Sequence, residues 1–250
     1  MGKGITAIML ATWAVNPALA GSAAADDVLE ILTQANTTGG LVAQVGVSDP
    51  LLRKGIGERF HVRLIAPDAE SAAAAYKKIA ETGLQGQFTV DAFPTGQLPF
   101  ADRVLNALVI LDANLIPAEE QQRVLAPRGL LIECNSGTWT TAAKPVPNTI
   151  DDWTHFLYDA SGNAVSKDKE VASPRSFRWY APPKHLRSHN YSSSFTGLVS
   201  AGGRVFYILD EGTLLFDKGG ATEKFALIAR DAFNGALLWK KTLEGYGQPS

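Results

Sequence analysis

The stretch Leu41–Leu52, LVAQVGVSDPLL, joins a continuous apolar run to a turn that contains Gly46. A run without a polar face is typical of a strand buried on both sides of a parallel sheet. A helix is expected after the turn, which is where nucleotide-binding α/β domains have their glycine-rich loop. The stretch therefore predicts such a domain, although one glycine stands where several are expected.

Helices and strands alternate around this stretch. Apolar spacing predicts helices over 26–36, 68–84 and 117–127, and strands over 41–47, 61–67, 87–93, 107–113 and 129–135. Asp68 or Ser71 is expected to cap the second helix, and Gly83 to end it. Apolar strands separated by helices indicate a parallel sheet covered on both faces, so residues 26–135 are predicted to form a Rossmann-like α/β domain.

The composition changes after this domain. Residues 136–152 are rich in proline, threonine and small residues, which indicates a linker. Residues 153–250 then predict an all-β segment with strands over 198–203, 204–212, 225–235 and 236–243, and Asn234-Gly235 is a hairpin signal. Four antiparallel strands in succession make one β-propeller blade. Because a lone blade cannot bury its two faces, we expect the first blade of a truncated propeller.

Residues 1–20 have the layout of a secretory signal peptide, with Lys3, an apolar run over Ile5–Val15 and a small-residue site at Ala18–Ala20. The alternative is a buried N-terminal helix. The signal peptide predicts export to the bacterial periplasm or cell surface. No later segment is long and apolar enough for a membrane helix, so no membrane span is expected after cleavage.

Charge and composition limit the partners, disulfides and metal sites that the chain could have. The net charge is −2 and no run of basic residues is present, so a nucleic-acid partner is not expected. The single Cys134 excludes an internal disulfide and a multi-thiolate metal site, and it is expected as a buried strand thiol. His155, His185 and His189 have no complementary ligands nearby in sequence, so no metal site is predicted. The basic stretch Lys184–His189 could alternatively bind an anion.

Two segments of the all-β part resemble a known family. Ala229–Lys240, ARDAFNGALLWK, resembles the repeat of pyrroloquinoline-quinone (PQQ)-binding-like β-propellers, matching it at Asp231, Gly235 and Trp239. Trp153–Asp168 resembles the segment that leads into the first blade of large exported bacterial proteins of this type. Asp231 is expected to bond the turn backbone, Gly235 to permit its geometry, and Trp239 to pack against a neighbouring blade.

The α/β part, over residues 28–133, resembles class I S-adenosylmethionine (SAM)-dependent methyltransferases. LVAQVGVSD stands at the first motif, FTVDAFPTGQLPFADRVLNALVI at the third and fourth strands, and RVLAPRGLLI at the turn before the fifth strand. In that family a glycine-rich turn lets the backbone approach SAM, and carboxylates bind its ribose and adenine. The resemblance implies SAM-binding positions at Gly46, Asp49, Asp68 and Asp91.

The sequence departs from the family pattern at several of these positions. Val47 adds a Cβ in the turn, and Ala66 stands at the ribose position, with Asp68 two residues late. Asn106 replaces a customary aspartate, and Arg128 replaces the first glycine of the usual Pro-Gly-Gly turn. We therefore expect a domain that keeps the fold while its cofactor site has degenerated, and no catalytic residue is predicted.

These features favour an exported binding or scaffold protein with a methyltransferase-like domain and a PQQ-binding-like propeller that contacts a protein or envelope partner. One alternative is an active SAM-dependent methyltransferase acting on an unknown acceptor. Another is a PQQ-dependent dehydrogenase, in which Trp179-Tyr180 could stack on the quinone. If the chain is an enzyme, methyl transfer is favoured over quinone chemistry. Whether SAM or PQQ is bound stays open.

Overall fold

The computed structural model of the chain describes ten ranges of residues: 14–15, 27–47, 59–93, 96–111, 116–135, 138–171, 173, 176–182, 194–212 and 224–246. Within them the chain forms one seven-stranded and one four-stranded sheet. The alternation of strands and helices predicted the larger sheet, and the turns between successive strands predicted the smaller one.

The larger sheet is built on five parallel strands. Its strands are β1 (Ala14–Val15), β2 (Gly40–Val45), β3 (Phe60–Ala66), β4 (Phe88–Ala92), β5 (Leu105–Ile110), β6 (Leu125–Asn135) and β7 (Thr138–Ala143). They lie in the order β1-β7-β6-β5-β2-β3-β4. Neighbours among β2 to β6 pair in parallel, whereas β7 is antiparallel to both β6 and β1. The prediction of a Rossmann-like α/β domain is confirmed.

Helices cover both faces of this sheet. The helices are α1 (Asp27–Gln34), α2 (Ala69–Thr82) and α3 (Ala118–Val124). Leu32 of α1 and Ile79 of α2 belong to one core cluster with Val42 of β2. Val124 of α3 and Ala43 of β2 belong to the other. Successive β2 side chains thus enter opposite cores, which explains the continuous apolar run in the sequence.

The predicted signals at the ends of α2 are confirmed. Asp68 is the N-cap, and its carboxylate accepts a hydrogen bond from the backbone N–H of Ser71. Gly83 ends the helix in the left-handed conformation, with φ +71°. Both signals act within one helical turn of the residues they cap, so they could be predicted without tertiary information.

Most element boundaries shift by a few residues from the prediction, and two differences change the fold. The helix expected over 117–127 ends at Val124, and β6 begins at Leu125. Thr138–Ala143, expected within the 136–152 linker, forms β7 of the sheet. Trp139 is buried in the core, and exposed residues alternate with buried ones along the strand. The prolines that indicated a linker begin at Pro145, just beyond the strand.

The smaller sheet is an antiparallel meander. Its strands are β8 (Phe195–Ala201), β9 (Arg204–Asp210), β10 (Phe225–Asp231) and β11 (Leu237–Thr242), in the order β11-β10-β9-β8. The predicted run of four antiparallel strands is confirmed. Its buried core contains only Leu209, Ala226 and Ile228, with Tyr207 packed against them. That the sheet is a propeller blade stays a prediction.

Most of the predicted signal peptide and its cleavage sites, residues 1–13 and 16–26, lies outside the described residues. Ala14–Val15 pairs with Ala142 and Ala143 at the edge of the sheet. Among the described residues no helix has the length and apolarity needed to cross a membrane. Cys134 lies on β6 as expected, as a half-buried free thiol rather than a fully buried one.

Candidate functional site

The carboxyl edge of the parallel strands carries the positions expected to bind SAM. Gly46 follows β2 with φ +102°, a conformation that L side chains rarely adopt, and its N–H donates to the carbonyl of Ile65 over 3.0 Å. A Cβ built on Gly46 would lie 3.1 Å from Cδ1 of Leu111. The space that the missing side chain leaves is therefore occupied by a leucine from the end of β5.

The residue after Gly46 is also directed into the protein. Val47 packs, together with Leu111, against the core cluster that α1 and α2 share with the sheet. Asp49, the other expected contact in this turn, lies outside the described residues. The described part of the turn is thus lined by aliphatic side chains, which offer no hydrogen bond to the methionine or ribose of SAM.

Asp68 is engaged by its own helix. Its Oδ1 accepts from the Ser71 N–H over 2.7 Å, and its Oδ2 accepts from the Ser71 hydroxyl over 3.1 Å. The backbone hydrogen bond from Ser71 is the main reason that the pKa of Asp68 lies below its usual value. Ala66, at the expected ribose position, is fully buried at the end of β3. Asp68 therefore serves as the N-cap of α2.

Asp91 lies on β4 and forms an ion pair with Arg63 of the neighbouring strand β3. The Arg63 guanidinium also lies over the ring of Phe100, 5.5 Å from its centre. Both charged side chains are about one-third exposed, at 36% each. The carboxylate expected to recognise adenine is thus already neutralised by a side chain that packs beside it.

Gly46, Asp68 and Asp91 do lie at one edge of the sheet, as the resemblance implies, because the carboxyl ends of parallel strands meet there. Each has a structural partner in the protein, namely Leu111, Ser71 and Arg63. Whether these positions bind SAM stays a prediction, because residues 48–58, 94–95 and 112–115 at the same edge lie outside the described part of the chain.

The opposite, amino edge of the sheet holds a polar junction with the smaller sheet. Asn106 lies near the start of β5, and its Oδ1 accepts from the Leu41 N–H over 2.8 Å and from Nδ2 of Asn234 over 2.7 Å. Its Nδ2 donates to Oδ2 of Asp231 over 2.7 Å. Asn234 also donates to the carbonyl of Val104 over 2.8 Å. One asparagine therefore connects the two sheets.

The residues of the PQQ-like repeat motif build the turn that makes this junction. Oδ1 of Asp231 accepts from the N–H groups of Phe233 and Asn234 over 2.8 and 3.0 Å, as the repeat predicts. Gly235 has φ +75°, in the left-handed region. A Cβ on Gly235 would lie 2.5 Å from Cδ2 of Trp179, so only glycine leaves room for this ring. The expected roles of Asp231 and Gly235 within the turn are confirmed.

Of the two tryptophans near the turn, Trp179 packs against it and Trp239 lies beside Phe206. The Trp179 ring lies against Gly235, and its indole N–H donates to the Ala232 carbonyl over 3.0 Å. Trp179, which with Tyr180 could stack on a quinone in the dehydrogenase alternative, has its ring packed against the turn. Tyr180 beside it is 91% exposed. Trp239 lies 6.0 Å from the Phe206 ring, by ring centres, and stays 43% exposed.

The segment that leads into the smaller sheet is held by aspartates. Asp151 accepts from the Tyr158 hydroxyl over 2.6 Å and from the Lys167 N–H over 2.7 Å. The Tyr158 bond is the largest cause that holds the pKa of Asp151 below its usual value. Asp152 accepts from the Gly202 N–H over 3.0 Å, in the β8–β9 turn. Residues 151–171 are thereby fastened to the smaller sheet.

The histidines provide no metal site among the described residues, where no group of three His, Cys, Asp or Glu side chains could hold an ion. His155 contacts the hydroxyl of its neighbour Thr154 over 2.9 Å. His185 and His189, with the basic stretch Lys184–His189, lie outside the described residues.

Sequence reasoning noticed Asn106 but missed its role. The signal was present, because an asparagine interrupts an otherwise apolar strand. A polar side chain in a buried strand requires hydrogen-bond partners. Those partners, Asp231 and Asn234, lie 125 and 128 residues further along the chain. No local pattern indicates which residues they are.

No family model matches this chain, and no curated protein sequence matches it. Among solved structures, it is similar to a protein of Methanococcus maripaludis described as a SAM-dependent methyltransferase, with 12% identity and a TM-score of 0.43, covering 50% of this chain and 87% of that one. A SAM-dependent methyltransferase from Aquifex aeolicus has 23% identity and a TM-score of 0.37, covering 43% and 62%. Geranyl diphosphate C-methyltransferase from Streptomyces coelicolor has 13% identity and a TM-score of 0.37, covering 43% and 45%.

The chain thus spans less than two-thirds of the Aquifex and Streptomyces proteins. These TM-scores all lie below 0.5, and the Rossmann-like fold rests on the order and direction of the strands.

Proposed function

We propose that this chain is an exported binding or scaffold protein, in which a degenerate methyltransferase-like domain is the base for a PQQ-binding-like propeller segment. One observation carries the proposal: Asn106 of the α/β sheet is hydrogen-bonded to both Asp231 and Asn234 of the repeat turn. Asp231, which marks the repeat, and its turn neighbour Asn234 therefore attach the repeat to the α/β sheet. A partner protein or envelope component would bind the propeller segment.

The packing of Trp179 supports a blade. The tryptophan of the repeat is expected to pack against a neighbouring blade. Here a different tryptophan, Trp179, which precedes the sheet in sequence, packs against Gly235 of the repeat turn. Trp239, in contrast, keeps 43% of its surface exposed. It is available for the corresponding contact with another unit.

The contacts at the carboxyl edge support the loss of SAM binding. Leu111 fills the space over Gly46, Ser71 occupies both oxygens of Asp68, and Arg63 neutralises Asp91. A SAM molecule bound here would have to share Asp68 and Asp91 with these partners, which weakens the interaction that each carboxylate could offer it. Export to the periplasm or cell surface, away from the cytosolic SAM pool, agrees with this proposal.

Calorimetric titration of SAM into the full chain tests the proposal. We expect no measurable binding at about 1 mM SAM, a concentration at which even weak sites with millimolar dissociation constants give heat. Micromolar affinity that Asp91→Ala abolishes would contradict it. The matched control is Glu81→Ala on α2, because this exposed carboxylate has no partner among the described residues and should leave the titration unchanged.

SAM-dependent methyl transfer remains the second candidate function. It is favoured by the strand order β4-β3-β2-β5-β6 and by the left-handed Gly46 directly after β2, where nucleotide-binding sheets have their loop. The SAM titration separates this candidate from the first, since it requires binding that depends on Asp91.

A further inference from the structure

Two adjoining cavities lie at the junction between the sheets. Their volumes are about 610 and 410 Å³. Both are lined by Pro127, Arg128, Gly203, Arg204 and Phe233, so these residues form a common wall. We call the two cavities together the junction cleft. Each volume is in the range that accommodates a small organic molecule.

The charged residues of the common wall are two arginines, the exposed Arg128 and the half-buried Arg204, and each carboxylate lines only one of the two cavities. Neither Arg128 nor Arg204 has a side-chain hydrogen bond or ion pair within the part of the chain that the structure describes. The aspartates that line the cleft all accept hydrogen bonds from neutral donors: Asp151, Asp152, Asp168 and Asp231. The larger cavity has these two arginines against the single carboxylate of Asp231. The lining of the larger cavity is therefore net positive, whereas the smaller cavity, with Asp151, Asp152 and Asp168, is net negative.

Arg128 is held in an unusual backbone conformation. Its φ is +69°, in the left-handed region that favours glycine. Two backbone hydrogen bonds with Lys144 fix this turn. The Arg128 N–H donates to the Lys144 carbonyl over 2.9 Å, and the Lys144 N–H donates to the Gly129 carbonyl over 2.8 Å. Strain of this kind persists where the surroundings impose it, often at ligand sites. Here it accompanies a guanidinium on the wall of a cleft.

We propose that the larger cavity of the junction cleft binds a small organic anion, whose phosphate or carboxylate group is held by Arg128 and Arg204. Guanidinium groups form paired, charge-assisted hydrogen bonds with both kinds of oxyanion. Phe233 and Leu238, which line the larger cavity, supply an apolar surface for the rest of the ligand. This binding is independent of the SAM site, which lies at the opposite edge of the sheet.

Calorimetric titration of the full chain with phenyl phosphate and with benzoate tests the proposal, with phenol as the neutral counterpart. At least one anion should bind, and phenol should not. Arg204→Gln and Arg128→Gly should each weaken binding about tenfold or more, because each removes a charge-assisted pair. Glycine is chosen at position 128 because it adopts the existing φ without strain. The anion that binds more tightly identifies the preferred group.

Lys77→Gln on α2 is the matched control, since this exposed cation is not among the residues that line the cleft. It should leave the affinity unchanged. The proposal is wrong if neither anion gives heat at about 10 mM, well above ordinary ligand affinities. It is equally wrong if phenol binds as tightly as the anions, or if Lys77→Gln weakens binding as much as the arginine variants.

Discussion

At the scale of single residues, Asn106 shows how one polar side chain decides how two parts of a chain meet. Its amide accepts from Leu41 and Asn234 and donates to Asp231, so both of its ends are used. The Leu41 bond is made within the α/β sheet, and the others reach across to the repeat turn. An aliphatic residue would suit the strand equally well but would leave the junction without its connection.

We expect Asn106→Ala to lower the free energy of unfolding by about 2–3 kcal/mol. Truncation leaves partly buried groups of Leu41, Asp231 and Asn234 without a partner, and each unsatisfied group costs energy on burial. Urea denaturation measures the change. Asn163→Ala, at an exposed asparagine, should change stability by less than about 0.5 kcal/mol, and an equal loss in both variants would contradict the account.

At Arg128 we expect a substitution to raise the free energy of unfolding. Arg128→Gly should raise the free energy of unfolding by about 0.5–1 kcal/mol, because the relief of a left-handed φ exceeds the extra chain entropy of glycine in the unfolded state. Thermal denaturation of the two proteins measures it. A clear loss of stability would mean that the arginine side chain contributes packing that outweighs the strain.

Local signals at this scale could be predicted from the sequence. Asp68, Gly83 and Gly235 act on the backbone within a few residues, and their expected roles are confirmed. The partners of Asn106 could not be predicted, because contacts between residues more than a hundred positions apart leave no local pattern in the sequence. The expected SAM contacts were inferred from a resemblance and stay a prediction, and the sequence did not indicate that Asp91 would pair with Arg63.

At the scale of elements, the short helix α3 is held to the preceding loop by Glu120 and Arg123, which pair with each other, and Arg123 also pairs with Asp102 of that loop. Glu120, 9% exposed, accepts from the Leu98 N–H over 2.5 Å and from Nη2 of Arg123 over 2.7 Å. Arg123 also donates to the carbonyls of Leu98 and Phe100 over 3.0 and 2.7 Å. The loop between β4 and β5 is thereby tied to α3. This tie helps a helix of only seven residues to hold its place.

Glu120→Gln should lower the free energy of unfolding by about 1–2 kcal/mol at pH 7, because an amide replaces one carboxylate oxygen bonded to Arg123. The hydrogen bond from Arg123 holds the pKa of Glu120 below its usual value. The stabilisation is therefore complete above the unfolded-state pKa of about 4.3 and is lost as pH falls through the lower folded-state pKa. Urea denaturation from pH 7 to pH 3 should show the difference between the proteins shrinking.

Glu119→Gln is the matched control for this element, since Glu119 is the exposed neighbour of Glu120 on α3. It should leave stability nearly unchanged at every pH. A difference between wild type and Glu120→Gln that stays constant down to pH 3 would exclude the ion pair as its cause.

Most elements could be predicted from periodicity, and β7 shows where that method fails. Its threonines and alanines resembled a linker because proline-rich sequence follows directly. Buried Trp139 and Thr141 alternate with exposed Thr138 and Thr140, which is the signature of a strand with one covered face. The alternation was present, but it was too short to outweigh the composition of its neighbours.

At the scale of the whole molecule, the two sheets meet through the amino edge of one and a turn of the other. Two further contacts accompany the hydrogen bonds of Asn106 and Asn234. Arg103 forms an ion pair with Glu170, and Arg178 donates a hydrogen bond to the carbonyl of Asp102 over 2.5 Å. These contacts predict that the sheets are energetically coupled. The scaffold role proposed for the α/β domain depends on that coupling.

A double-mutant cycle on Asn106 and Asn234 tests this central claim most directly. The free energies of unfolding of Asn106→Ala, Asn234→Ala and the double variant are measured by urea denaturation. A direct contact predicts a coupling energy of about 1 kcal/mol, because the second substitution no longer breaks the shared hydrogen bond. Losses that add to within about 0.3 kcal/mol would contradict the account, since the two sheets would then not be joined through this pair.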